Sequence, residues 1–217
     1  MNKIDIRSLS FEELNDSLKE LNMPSFRVGQ IYDWLHAKGV MSFEEMTNIS
    51  KPLRSQLDEK FEIKTCRILK KLVSKLDGTV KYLFAFFDGS TVESVVMKYK
   101  YGYSICISTQ VGCKMGCTFC ASAIGGFKRH LTPSEMLCEI LTAQQDLNIK
   151  ISHIVLMGTG EPLDNYNNVL RFLHLVIVML FLIIVVDKQL FFFRVHILGY
   201  YNDQLHHLPQ SDHIHFS

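Results

Sequence analysis

The sequence predicts an α/β fold in three stages: a helical N-terminal module, a run of antiparallel strands, and the opening units of a parallel βα array. Three observations carry this. Two capping boxes and apolar residues at helical spacing fill the first 60 or so positions. From about Cys66 the apolar period shortens, and Asp-Gly pairs at 77–78 and 88–89 punctuate runs of Val, Phe, Tyr and Ile. After Tyr103 a strand, loop, helix rhythm runs twice.

Ser10-Phe-Glu-Glu13 opens the first helix ahead of Leu14, Leu18 and Leu21, and Pro24 breaks it. Phe26 to His36 forms a second amphipathic stretch carrying Ile31, Trp34 and Leu35. Ser42-Phe-Glu-Glu45 opens a short third helix, and Pro52 stands where a fourth begins, ahead of Leu53, Leu57 and Phe61. Strands are expected at about 66–76, 79–87, 90–99 and 103–109, the first three as a meander. Thr132-Pro-Ser-Glu135 caps a helix through about Leu147, Ser152 to Met157 is a strand, and a further helix runs from Asn165 to Leu175.

With 217 residues, a formal charge of +1 and 47% hydrophobic content, the chain holds one medium domain or two small ones. Met1 is not followed by a charged region and an apolar core, so no secretory signal is read there. The near-neutral balance excludes a broadly basic surface and confines nucleic-acid contacts to local patches. Six cysteines, three of them in one loop, fit a reducing compartment rather than a disulfide scaffold.

That loop, Val-Gly-Cys113-Lys-Met-Gly-Cys117-Thr-Phe-Cys120, is the most specific feature of the chain. Three thiolates at C-x3-C-x2-C hold three corners of a [4Fe–4S] cluster and leave the fourth iron open to a substrate or cofactor. A structural zinc site is the competing reading, and it needs Cys106 or His130 as fourth ligand at an unusual distance. Gly158-Thr-Gly160-Glu161-Pro162 follows an apolar strand, where glycines admit a ligand to the backbone. Alone such a loop is a common turn.

Taken with Gly125-Gly-Phe-Lys-Arg129, Phe26-Arg-Val-Gly-Gln-Ile-Tyr-Asp-Trp-Leu35, Thr91-Val-Glu-Ser-Val-Val-Met97, Cys106-Ile-Ser-Thr-Gln-Val-Gly-Cys113 and Met157-Gly-Thr-Gly-Glu-Pro-Leu-Asp-Asn165, these motifs define a resemblance. Residues 1 to about 175 resemble the radical S-adenosylmethionine (SAM) methyltransferases that act on adenine C2 in 23S ribosomal RNA and tRNA. The resemblance implies an incomplete radical SAM (β/α) partial barrel behind the helical module. It makes Cys113, Cys117 and Cys120 ligands of a [4Fe–4S] cluster, with Gly160 and Glu161 binding SAM and Glu161 receiving its ammonium. Cys106 matches the thiol that resolves a covalent enzyme–RNA intermediate, against the plainer reading of a small buried strand residue. Glu93 matches a proton acceptor, against a solvated strand face. Phe119 is read either as shielding the cluster or as ordinary loop packing, and Cys66 and Cys138 as structural.

The implied partners are 23S rRNA, tRNA and an electron donor for the cluster, in the cytoplasm and without stable membrane association. Lys98, Lys100, Lys114, Lys128, Arg129 and His130 surround the cysteine loop in sequence and are candidates for RNA phosphates at the mouth of the site. The expected domains are a helical accessory unit over 1–62, an antiparallel connection over 63–102, a partial radical SAM core over 103–175 and an aberrant apolar, His-rich tail over 176–217. The unbroken apolar run Leu175–Val186 is shorter than the ~20 residues that span a bilayer. Loss of local consistency there reads as a truncation or frameshift, with a buried helix as the alternative. The family places a methyl-carrying cysteine near its C-terminus, and no cysteine follows Cys138, so this polypeptide alone is expected to be inactive. A C8-methylating relative, a non-catalytic cluster- or RNA-binding fragment and a membrane-associated protein stay open.

Overall fold

A computed structural model describes residues 3–186, with the side chains of the last helix described as far as 177. Strand β1 (Ile4–Asp5) leads through a 3₁₀ turn at Ile6–Ser8 into α1 (Phe11–Lys19). Ser10 and Glu13 form the expected capping box, satisfying donors at both its ends. Helix α2 (Phe26–Tyr32) passes into a π turn at Asp33–Ala37, so the second amphipathic stretch is helical with a change of pitch. The Ser42–Glu45 box forms as expected, but it opens only a 3₁₀ turn, Phe43–Glu45. Pro52 does sit in the first turn of α3 (Lys51–Lys60). Strand β2 (Phe61–Glu62) then returns to pair in parallel with β1.

Four antiparallel strands follow: β3 (Arg67–Val73), β4 (Val80–Ala85), β5 (Thr91–Tyr99) and β6 (Gly102–Cys106). Asp77 and Asp88 build the first two hairpins by accepting the backbone N–H two residues on, from Thr79 and Ser90. Short β7 (Gln110–Val111) and β8 (Arg129–His130) bracket the cysteine loop. Helix α4 (Pro133–Leu147) is capped by Thr132 and Glu135 and ends on Asn148 at φ +50°. Strand β9 (Ile151–Val155) lies parallel to β6, giving the sheet order β3-β4-β5-β6-β9. The meander therefore extends to a fourth strand before the parallel step begins.

Helix α5 (Tyr166–Val186) runs past the expected end at Leu175. No Gly or Pro interrupts the apolar run, so nothing stops the i to i−4 ladder there. The rest of the predicted aberrant tail, 187–217, lies outside the described residues. Among the described residues no helix is long and apolar enough to cross a membrane.

The sheet has two unlike faces. Val80, Tyr82, Phe84, Val92, Val96, Ile105 and Ile107 point to one side and are buried with residues of α4 and α5 in a core continuous with the N-terminal module. Ion pairing and hydrogen bonds close the seam: Arg171 of α5 grips Glu13 of the first capping box. Ser134 of α4 donates to Asp5, and its backbone N–H donates to Ser8. Within the seam lies His36, 1% exposed, with neither ring nitrogen hydrogen-bonded. Burial, helped by the nearby Arg7 charge, lowers its pKa to about 3.

A neutral buried histidine predicts acid lability. The unfolded chain takes up a proton near the ordinary value of 6.5 while the folded chain does not, so stability is intact above 6.5 and falls as pH drops toward 3. Urea midpoints measured between pH 7 and 4 are expected to decline, and His36→Phe is expected to flatten that decline.

Candidate active site

The strand ends and loops near Cys106 are built around one stretch of backbone, Ile107–Gln110. Ile107 N–H donates to Val155, and the Ile107 carbonyl accepts from Gly158 N–H. Thr109 and Gln110 both donate to the Thr159 carbonyl, at 2.9 and 3.2 Å. Ser108 Oγ accepts from Thr159 N–H at 2.9 Å, and Gln110 Oε1 accepts from Glu161 N–H at 2.9 Å. Thus the Gly-x-Gly-Glu loop is laced to the segment that launches the cysteine loop. The approach is so close that a Cβ on residue 158 would stand 2.6 Å from the Ile107 carbonyl, and Gly160 holds φ +108° against Gln110. Glycine is required here by contact as well as by conformation.

The cysteine loop is pinned at its base and open at its tip. Lys128 N–H donates to the Val111 carbonyl, and Gly112 at φ +73° leaves only 1.7 Å between a hypothetical Cβ and the Gly126 oxygen. Buried Asn165 donates to the carbonyls of Thr109 and Leu131, both at 2.8 Å, crossing the base from the start of α5. Lys114 reaches Asp164 at 2.7 Å, and Gln110 donates to the same carboxylate. Those partners, Lys114 foremost, hold Asp164 below the usual carboxylate range.

Residues 114–119 are all exposed, while Cys113 and Cys120 are partly buried at the loop's ends. All three loop cysteines are free thiols, and hydrogen bonds from Ser122 lower the pKa of Cys120. Among the described residues no three His, Cys, Asp or Glu side chains converge closely enough to hold a metal ion as they stand. The donor set nevertheless fits a thiolate-bound iron centre: three soft ligands on one tethered loop. Drawing Cys117 toward its neighbours would break no buried contact, because the tip is solvated. Of the two proposed fourth zinc ligands, Cys106 ends β6 and His130 has its Nδ1 3.1 Å from the Gln110 amide, and neither converges with the loop cysteines as they stand. Phe119 is 92% exposed and packs against nothing described, so its expected packing role is absent.

Strand register brings two further predicted residues together. Val95 pairs with Cys106, so Glu93, two residues earlier, projects from the same open face on the neighbouring strand. Glu93 is exposed and ion-paired to Lys81 at 2.9 Å. Cys106 is half-buried, and burial raises its thiol pKa against a backbone hydrogen bond from Met157. The basic residues do not gather as expected. Lys98 and Lys100 flank the β5–β6 turn, at the end of β6 opposite Cys106. Arg129 is committed to Asp88 and Glu135, at 2.7 and 2.8 Å.

Sequence reasoning gave no role to Ser108, Gln110, Asn165 or Glu139. The first three stand inside the quoted motifs, Ser108 and Gln110 in the polar run Ser108-Thr109-Gln110 and Asn165 directly after Asp164. Glu139 is fully buried on α4, where its Oε2 accepts from Ser94 Oγ and from Ser108 N–H at 3.1 Å. Its Oε1 has no partner. Burial raises its pKa well above 4.5, outweighing both hydrogen bonds.

Comparison with known proteins agrees with this geometry. Residues 4–63 match the family described as "Ribosomal RNA large subunit methyltransferase N-terminal domain". The chain is 53% identical over 174 residues to "Probable dual-specificity RNA methyltransferase RlmN" of Lachnoclostridium phytofermentans, covering 80% of this chain and 49% of that protein. It is 47% identical over 179 residues to the protein of the same name from Bacillus cereus, covering 81% and 49%. A crystal structure of a radical SAM methyltransferase from Sphaerobacter thermophilus superposes with TM-score 0.74 at 31% identity, covering 80% of this chain and 52% of the other. The chain spans about half the length of the curated relatives it matches.

Glu139 gives the site a testable pH dependence. Its folded pKa is raised, so its contribution is whole below 4.5 and is lost as pH rises toward the folded value. Glu139→Gln retains an acceptor for Ser94 and Ser108 without titrating. Its stability relative to the parent is expected to increase above pH 5 by up to about 1.4 kcal/mol per pH unit. Chemical denaturation at pH 5, 6.5 and 8 measures this, with Glu139→Ala expected to be less stable throughout.

Proposed function

The chain belongs to the RlmN-type family of radical SAM RNA methyltransferases, and we propose that its site serves methylation of adenine C2 in 23S rRNA and tRNA. One observation carries the reading: the lacing of Ile107–Gln110 to Gly158–Glu161 holds the thiol loop, Glu161 and Cys106 at one end of the sheet. In this reading Cys113, Cys117 and Cys120 hold a [4Fe–4S] cluster. When bound, that cluster supplies the electron needed to activate SAM for chemistry at an electron-poor carbon.

The chain's own residues do the positioning. Gly158 and Gly160 let the loop seat against Ile107 and Gln110, which presents Gly160 backbone to a ligand's amino-acid portion, and Glu161 accepts its ammonium in a charge-assisted hydrogen bond. The Glu161 carboxylate now accepts from Leu163 N–H at 3.0 Å, which fixes its direction before ligand arrives. Glu93 takes a proton on the open face, where it stands ion-paired to Lys81. Cys106 acts as the resolving thiol. Burial raises its pKa, which disfavours the thiolate before a reaction partner is bound.

The same reading assigns residues 1–62 to RNA binding as an accessory unit, 63–102 to connection and 103–175 to the core. RNA is met from the open sheet face, with Lys128 beside the thiol loop supplying a phosphate contact. A reductase or small electron carrier of the cytoplasm completes the system.

Three measurements test this on the 217-residue polypeptide. Anaerobic reconstitution with iron and sulfide is expected to give cluster absorbance and a low-temperature spin signal, both lost in Cys117→Ala. Equilibrium binding should show SAM affinity falling at least tenfold in Glu161→Ala, consistent with loss of a charge-assisted hydrogen bond of about 1.5–3 kcal/mol. With RNA and reductant, no 2-methyladenosine is expected, because no cysteine follows Cys138 to carry the methyl group. Stoichiometric zinc and no cluster would overturn the reading, and 2-methyladenosine would overturn its last part.

A further inference from the structure

Away from the site, two cysteines that the proposed chemistry does not use meet at the seam between the N-terminal module and the core. Cys66 ends the segment leading from β2 into β3, and Cys138 lies on α4. Their sequence separation of 72 residues gave no hint of contact. Cys66 N–H donates to Cys138 Sγ at 3.1 Å, and the Cys66 thiol also donates to that sulfur. One turn further along α4, Thr142 Oγ1 lies 3.3 Å from Cys66 Sγ.

The two thiols are electrostatically unlike. Buried Arg7 stands 4.0 Å from Cys138 Sγ, with its other bonds going to the Lys64 and Val40 carbonyls. Donation from Cys66, together with the Arg7 charge, lowers the Cys138 pKa and favours its thiolate. As a thiol, Cys138 donates to the Lys64 carbonyl at 3.5 Å, an acceptor it shares with Arg7. Donating its proton to Cys138, and being partly buried, raises the Cys66 pKa. Cys138 is closed to solvent, whereas Cys66 is partly exposed. The arrangement sets an approachable thiol against an enclosed base and nucleophile.

We propose that Cys66 and Cys138 are an oxidation site, which a small hydroperoxide converts to a disulfide joining the module's exit segment to α4. As Cys66 sulfur attacks the peroxide oxygen, its proton passes to the Cys138 thiolate and the O–O bond breaks. The departing hydroxide takes that proton and leaves as water. Cys138 thiolate then attacks the Cys66 sulfenic sulfur, forming the S–S bond and expelling a second hydroxide, which solvent protonates. The two sulfurs lose two electrons in all, and the peroxide gains them. Arg7 serves as a positioning residue by facing the Cys138 sulfur with a positive charge, which favours its thiolate.

Trypsin places Cys66 and Cys138 in separate peptides apart from the other thiols: Cys66 falls in peptide 65–67, Cys138 in 130–150, Cys106 and Cys113 in 101–114, and Cys117 and Cys120 in 115–128. The full chain is reduced, desalted, treated with hydrogen peroxide, alkylated and digested without reductant. The expected product is 65–67 linked to 130–150, about 2 Da below the sum of the free peptides, removed by dithiothreitol. It should be absent from Cys66→Ser, which leaves Cys138 and its Arg7 contact in place. Arg7→Gln should slow its formation at least tenfold, with the fold checked by circular dichroism. Recovery of alkylated 130–150 while the loop peptides have oxidised, or linkage of 130–150 to a loop peptide instead, would overturn the proposal. Because the readout is a peptide mass, it stands or falls independently of cluster or methyltransfer chemistry.

Discussion

The site rests on two loops that share one set of backbone hydrogen bonds. Strands β6 and β9 stop at Cys106 and Val155, yet the chains stay in contact for another turn of loop on each side. Within that zone the donors of Thr109, Gln110, Gly158, Thr159 and Glu161 all find partners. Buried backbone polar groups must be paired, and here the pairing of one loop is the other loop. Neither the thiol loop nor the Gly-x-Gly-Glu loop can shift alone. Glycines at 158 and 160 are the steric condition for the arrangement, since a side chain at either would enter the facing backbone or the Gln110 side chain.

That constraint also explains the polar residues gathered beneath the loops. Ser108 links three elements: its N–H reaches Glu139 on α4, its hydroxyl donates to the Glu93 carbonyl on β5, and its oxygen accepts from Thr159. Asn165 performs the same service from α5, spanning the base of the cysteine loop. Side-chain amides and hydroxyls suit this task because one residue can both donate and accept. The cost of burying them is offset only when each is partnered, which is why the unpartnered Glu139 oxygen is best carried as the protonated acid.

How much of this was legible in the sequence follows from the range of the interactions. Capping boxes at Ser10, Ser42 and Thr132 are local and formed as read, although the one at Ser42 supports a single 3₁₀ turn. The Asp-Gly hairpins formed for the same reason. The cysteine spacing and the Gly-x-Gly-Glu loop were visible because their chemistry dictates residue type at short spacing. Partnerships across long separations were not. Glu139 with Ser94, and Gln110 with Asp164, depend on register and on which face of α4 turns inward. The basic residues near the loop misled for a related reason. The five-residue strand β6 separates Lys98 and Lys100, at the β5–β6 turn, from Cys106 at its other end, so nearness in sequence became distance in space.

The seam between module and core shows what the open sheet face does not. Arg7, His36 and Cys138 are each almost fully enclosed, and each belongs to a different element. A guanidinium that is buried keeps its charge, so its surroundings must supply carbonyls or anions or shed positive charge. All three responses are present: the Lys64 and Val40 carbonyls turn toward Arg7, Cys138 becomes a stronger acid, and His36 stays neutral. Residues 3–62 therefore do not simply lean on the sheet, because their single buried charge is solvated by groups from the exit segment and α4. Helix α4, which meets that charge through Cys138, also carries the carboxyl that accepts from Ser108 beneath the two loops. One helix therefore joins the N-terminal module to the base of the thiol loop through packed and hydrogen-bonded groups.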